Sequence, residues 1–234
     1  MDLYFINIID LFIGGTKPIE KSTKARGIID CLSGYTLQKK ITDGGNSIVF
    51  KGVKKDKSTQ QQYAFKFIKE CSSDSSEMHY SRLLSQYNIG PTLIDTRVTS
   101  IGLGLIVTEL WDTPLWVDMI YSIYIHPPEH IISKIKNQID QLHKLGLVHG
   151  DITGKNILVK FDGPHIIDAT VADFGSVLPH KEWEGDVVAI YKFMEYHKKY
   201  ACLRQYYEDN LVDYEDVCND PFLLDKALIY YWEK

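Results

Sequence analysis

Apolar and polar positions change rhythm twice along this chain. From Tyr35, the runs "YTLQKKI", "NSIVFKGVKK" and "QQYAFKFIKE" place β-branched and aromatic residues in partial alternation. A period of two sends those side chains to one face of a strand. Turn-prone clusters, "TDGGN" and "KKDKSTQQ", separate the runs, so together they predict a small antiparallel sheet. "SSDSSEMHYSRLLSQY" shifts to helical spacing behind a Ser/Asp cluster suited to an N-cap. "NIGP" stops that helix. "TLIDTRVTS" and "LGLIVTELW" read as two more strands. From about Pro128 a long helix is predicted, with Ile131, Ile132, Ile135, Ile139 and Leu142 on one stripe and Gly146 as its stop. A hairpin over "ILVKFDGPHIIDATVADFG" and a helix over "DVVAIYKFMEYHKKY" follow. A β-rich segment with one helix, then a helix-rich segment, predicts two lobes of an α+β protein.

The first residues, "MDLYFINIIDLFIGG", are apolar, but Asp2 and Asp10 interrupt them and no basic region precedes them. The run is short for a membrane span. It reads as a packed strand or helix, with an anchor as the alternative. "TKPIEKSTKARG" reads as a linker or surface loop. No internal repeat or low-complexity tract is present. The Tyr- and acid-rich segment from Cys202 onward either completes the packing of the second lobe or binds a partner.

Composition narrows this picture modestly. A chain of 234 residues is long enough for one large domain or two small lobes. With 44% hydrophobic and 24% charged residues it reads as a soluble globular protein. A net charge of -5 argues against nucleic acid or an anionic membrane surface as the main partner. Cys31, Cys71, Cys202 and Cys218 are scattered, without a CxxC pair. That pattern suits a reduced, intracellular protein with no structural disulfide and no zinc site.

The candidate chemistry lies in loops. "ITDGGNSIV" is a Gly-containing turn between strands; glycine there allows close backbone approach to phosphate, or simply closes a hairpin. Lys66 sits in "AFKFI". It either points outward from a half-buried strand or reaches a phosphate, fixed by a carboxylate such as Glu77. Asp151 and Asn156 flank a tight loop, and Asp173 follows seventeen residues after Asn156, ahead of Phe174 and Gly175. An amide oxygen and a carboxylate can hold Mg²⁺ while phosphate oxygens and water fill its other positions. A separate carboxylate can accept or orient the proton of an attacking hydroxyl. Asn156 and Asp173 therefore suit a metal, and Asp151 suits a base.

In their order along residues 36 to 195, these pieces resemble the eukaryotic-like protein kinase superfamily. "ITDGGNSIVFKG" is similar to its Gly-rich loop, "YAFKF" to its lysine strand, and "LIVTEL" to the strand entering its hinge. "HGDITGKN" and "DFG" look like its catalytic and metal loops. "GDVVAIY" looks like the start of the helix whose Asp buttresses the catalytic loop. The resemblance implies an N-terminal extension over 1–34, a kinase N-lobe over 35–110, and a trimmed C-lobe with a short activation segment over 111–234. It implies ATP and Mg²⁺ as cofactors. Gly44, Asn46 and Ser47 would lie over the phosphates, with Val49 and Ala64 lining the adenine slot. Lys66 would contact the α- and β-phosphates and pair with Glu77. Thr108 would be the gatekeeper, and the Glu109 carbonyl and Trp111 N–H would bond the adenine edge. Asp151 would be the base, and Lys155 would neutralise charge on the transferring phosphoryl group; Asn156 and Asp173 would bind Mg²⁺; Asp186 would be structural. His149 reads as a backbone brace.

Some departures point to a compact, atypical member, similar to KEOPS-associated kinases, RIO kinases, antibiotic phosphotransferases, or viral and effector kinases. Thr42 and Ser47 stand where glycines are expected. Gly150 replaces an Arg that receives a phosphorylated activation loop. Ten residues separate Gly175 from Asp186, with no APE motif. The expectation is an atypical serine/threonine protein kinase acting on a protein hydroxyl, in the cytoplasm of its own or a host cell. A pseudokinase that binds a regulatory partner and a small-molecule kinase are the alternatives.

Overall fold

The structure is a computed structural model that describes residues 27–43, 47–55, 61–69, 76–99, 102–114, 128–152 and 154–180, with residues 210, 216, 222, 223 and 226. Two compact units divide the chain. Unit 1 comprises Met1–Ser85 and Pro91–Leu110; unit 2 comprises Gln86–Gly90 and Trp111–Lys234.

Unit 1 is built on a five-stranded antiparallel sheet. Its strands are β1 (Tyr35–Asp43), β2 (Ser47–Lys54), β3 (Gln62–Ile68), β4 (Leu93–Val98) and β5 (Gly104–Glu109), in the order β1-β2-β3-β5-β4. The predicted alternation holds. In β2 and β3, Ile48, Phe50, Tyr63, Phe65 and Phe67 are buried, while Val49, Lys51, Ala64 and Lys66 between them are half-buried. The buried set packs with Leu37, Leu103, Leu105 and Val107 into one core. Gly52 fits where a side chain would not: a Cβ there would lie 2.5 Å from the Thr36 carbonyl oxygen. Helix α1 (Ser76–Ser85) follows β3 and buries Met78 with Ile68 and Ile106 in a second, smaller cluster. The helix ends into a segment with left-handed backbone at Asn88 (φ 56) and Gly90 (φ 90), as "NIGP" predicts. A helical turn over 27–31 is fastened by Arg97, which donates to the carbonyls of Cys31 and Ser33.

In unit 2, helix α2 (Glu129–Lys144) starts after Pro128 and ends at Gly146, whose φ of 71 suits glycine. Ile131, Ile135, Ile139 and Leu142 are buried as the stripe predicts. Ile132 is only half-buried, and Gln138 joins the buried face. A second sheet orders β6 (Thr113–Pro114), β8 (Ile157–Asp162) and β9 (His165–Val171) as β6-β8-β9. β7 (Leu147–Val148) pairs with β10 (Leu178–Pro179). Among the described residues, these strands and helices make an α+β fold. The helix expected over 186–200, with Asp186, lies outside the described residues, as do residues 1–26.

Candidate functional site: a lysine–glutamate pair and a braced Asp-Asn-Asp loop set

Strand register determines which candidates share a face in unit 1. Val49 stands opposite Lys66, Lys66 opposite Ile106, and Ala64 opposite Thr108. Directly opposed residues project to the same side of a sheet. Val49, Ala64, Lys66 and Thr108 therefore occupy one face, and Ser47, two residues from Val49, joins them. Helix α1 presents Glu77 to this lysine: Lys66 Nζ lies 2.5 Å from Glu77 Oε1, with both side chains mostly buried. Lysine reach alone leaves the ammonium mobile; a carboxylate beside it holds it in one place.

Glu109 ends β5. Its carboxylate accepts from both the N–H and the hydroxyl of Thr92, each at 3.0 Å, and its N–H donates to the Thr92 carbonyl. Its own carbonyl accepts from Thr108 Oγ1. The side chain thus fastens the start of β4. Trp111, in unit 2, is buried, with the Lys160 ammonium 4.3 Å above its ring and no partner for its indole N–H among the described residues. Gly44 and Asn46 lie outside the described residues.

The loop set of unit 2 is held by backbone and amide hydrogen bonds. Asn156 Nδ2 donates to the Asp151 carbonyl at 2.9 Å and to Asp151 Oδ2 at 2.8 Å. With Nδ2 so committed, Oδ1 is the Asn156 atom with cation chemistry. Lys155, beside it in the 3-10 turn Gly154–Asn156, is exposed. The Ala172 N–H donates to the Asn156 carbonyl at 2.7 Å. One residue on, Asp173 takes a left-handed backbone (φ 64, ψ 75) and an exposed position. Non-glycine residues in that region collect where surrounding structure enforces them.

His149 supplies part of that enforcement. Its Nδ1 accepts from the Asp151 N–H at 3.3 Å and its Nε2 lies 3.2 Å from the Ala172 carbonyl. These contacts fix the tautomer with the proton on Nε2. His149 is fully buried and meets the Phe174 ring edge-on. It braces both loops, the role its position suggests. Gly150 has φ 73, and a Cβ there would stand 3.1 Å from the Ser176 carbonyl oxygen. Glycine at this point answers a local backbone demand, which its reading as a lost regulatory arginine did not anticipate. Sequence reasoning also missed Gln138 and the Glu109–Thr92 fastening; a polar residue on an apolar stripe is the signal for the first. Among the described residues no group of three or more His, Cys, Asp or Glu side chains could hold a metal ion.

No family model matches the chain. It is similar to two curated serine/threonine-protein kinases, from Drosophila simulans and Drosophila sechellia, each 30% identical over 150 residues. Those matches cover 60% of this chain and 20% of each relative, so the chain spans about a fifth of their length. Among solved structures it is similar to the Cydia pomonella granulovirus kinase PK-1, with a TM-score of 0.52 and 21% identity. That match covers 68% of this chain and 57% of the viral one. The chain has a protein-kinase-like fold. No helix among the described residues is long and apolar enough to cross a membrane.

Proposed function

We propose that this protein is an ATP- and Mg²⁺-dependent phosphotransferase that acts on a protein hydroxyl, as an atypical serine/threonine kinase. The observation that carries the reading is the pair of bonds from Asn156 to Asp151, followed by the enforced left-handed Asp173. In this reading Asp151 accepts or orients the proton of the acceptor hydroxyl as that oxygen bonds to the γ-phosphorus and ADP leaves. Asn156 Oδ1 and the Asp173 carboxylate hold Mg²⁺, which neutralises phosphate charge when bound. Lys66, fixed by Glu77, contacts the α- and β-phosphates. Lys155 offsets charge on the transferring group. Val49 and Ala64 line the base, the Glu109 carbonyl and Trp111 N–H meet its edge, and Gly44 and Ser47 lie over the phosphates. The short segment between Gly175 and Asp186 favours a protein acceptor recognised by docking away from the phosphotransfer residues, in an intracellular setting. No nucleic acid is proposed as a partner.

The test is transfer of labelled γ-phosphate to a generic protein substrate and to the protein itself. Asp151→Ala and Asp173→Asn are each expected to lower the rate about 10²–10⁴-fold. Transfer unaffected by both changes sinks the reading. A second reading, a pseudokinase that binds a regulatory partner, draws on Thr42 and Ser47: both stand in strand pairs, where the family pattern expects glycine. Nucleotide binding without turnover, or no stabilisation by ATP and Mg²⁺, favours that reading. Transfer to small hydroxylated compounds but not to protein favours a small-molecule kinase.

A further inference from the structure

Gln138 is a buried amide on an otherwise apolar helix stripe. Such a group costs stability unless its donors and acceptor are met. Here they are. Nε2 donates to the Asn88 carbonyl and lies 3.1 Å from Thr170 Oγ1, while Oε1 accepts from the Val171 N–H at 3.1 Å. The Thr170 hydroxyl also reaches Oε1, at 3.3 Å. One planar side chain therefore ties α2 to the end of β9 and to the Gln86–Gly90 segment of the same unit.

Both tied segments bear on Asp173. Val171 precedes it by two residues, and Ala172 between them is held at both its N–H and its carbonyl. Phe174 after it packs so tightly under Gly90 that a Cβ there would lie 2.5 Å from the ring. Hence Gln138 grips the strand entering Asp173, and through Asn88 it also grips the segment that seats Phe174 on the far side. A hydrophobic residue at 138 would fill the same space and fix neither.

We propose that Gln138 is the positioning residue of Asp173, holding its carboxylate where a cation can use it. This rests on the reading of Asp173 as a Mg²⁺ ligand. Two variants separate the role from simple packing: Gln138→Met, which keeps volume and loses every hydrogen bond, and Thr170→Val, which loses the hydroxyl partner and keeps the Val171 contact. Two readouts follow: the Mg²⁺ concentration giving half-maximal thermal stabilisation by ATP, and amide hydrogen exchange over residues 170–176 without nucleotide. Gln138→Met is expected to raise the Mg²⁺ requirement about tenfold and to speed exchange at 170–176. Thr170→Val is expected to do neither. Gln138→Glu, which keeps an oxygen for the Val171 N–H, is expected to exchange more slowly there than Gln138→Met.

Equal exchange and equal Mg²⁺ requirement in Gln138→Met and Thr170→Val overturn the proposal. If the unaltered protein shows no Mg²⁺-dependent stabilisation by ATP, the phosphotransferase reading falls, and exchange alone decides the positioning role. If Gln138→Met does not fold, Gln138→Asn, an amide one methylene too short to reach both Asn88 and Val171, takes its place against Thr170→Val: faster exchange at 170–176 in Gln138→Asn sustains the proposal, and equal exchange overturns it.

Discussion

The two units hold their candidate residues by different means. In unit 1, Val49, Ala64, Lys66 and Thr108 share a face because strand register puts them there, and one ion pair finishes the arrangement. In unit 2, Asp151, Asn156 and Asp173 stand in loops, and each loop is held by hydrogen bonds from a buried group: His149 or the Asn156 amide. A sheet spreads its restraint over many backbone bonds. A loop concentrates it in a few polar contacts, where losing one partner leaves another buried and unsatisfied. The loop half should therefore be the more brittle, in a way that reaches function.

Two glycines put that difference to the largest test. Alanine at Gly52 would crowd the Thr36 carbonyl and, at 2.7 Å, the Phe65 ring; the expected cost is about 1–3 kcal/mol. Alanine at Gly90 meets the Phe174 ring and must also adopt φ 90, so strain of about 1–3 kcal/mol adds to the crowding. Thermal melts should rank Gly90→Ala below Gly52→Ala. ATP- and Mg²⁺-dependent stabilisation should weaken only in Gly90→Ala, because Phe174 adjoins Asp173. Equal melting temperatures, or a nucleotide response altered by Gly52→Ala instead, would break the contrast.

How far the sequence discloses each half follows from the same physics. Alternation is a property of neighbouring residues, so β1 to β5 and the buried faces of β2 and β3 are legible without coordinates. The motif spacing of Asp151, Asn156 and Asp173 singles them out as candidates before any coordinates are seen. The braces are not legible. Gln138 reads as a defect in an isoleucine stripe until Asn88 and Val171, fifty residues before and thirty-three after, are seen to use it. Ile132 is assigned to the stripe by period but sits at its half-buried margin. Gly150 reads as a missing arginine when taken alone, and as a left-handed turn against Ser176 when the backbone is known.

Unit 1 also carries a pH response of its own. Burial first, then the hydrogen bond and charge of Asp95, push the Tyr35 phenol up to about 12. Burial pushes the Cys31 thiol up to about 11, with Arg97 opposing and Asp95 and Asp30 adding. Both acids are neutral in the fold. Their raised values mean that the stability they contribute is full below the ordinary values of 9.0 and 10.0 and is lost as pH rises through about 11 and 12. Melts in reductant should fall progressively above pH 9. Tyr35→Phe keeps the edge-on contact with Phe65 at 5.1 Å and should flatten the part of that fall between pH 10 and 12. An unchanged slope in Tyr35→Phe would remove the phenol as its source.

The smallest effect is expected at the surface of unit 2, where ionic contacts are conspicuous. Lys134 pairs with Asp168, and both side chains are more than a third or about a third exposed, at 42% and 34%. The same ammonium lies 5.9 Å from the Trp111 ring, and Lys160 lies nearer, at 4.3 Å. Exposed ion pairs contribute about 0–1 kcal/mol, and exposed cation–π contacts about 0.5–1 kcal/mol. Asp168 keeps a second donor, the Ala169 N–H, so it is not stranded when the lysine goes. Lys134→Met should therefore cost under about 1 kcal/mol, read as a small shift in a denaturant midpoint, and Lys160→Met about as much. Because both cations address one ring and repel each other, the double variant should cost more than the sum. A loss from Lys134→Met that exceeds that from Gln138→Met would mean that unit 2 is held from its charged surface and not from its buried amides.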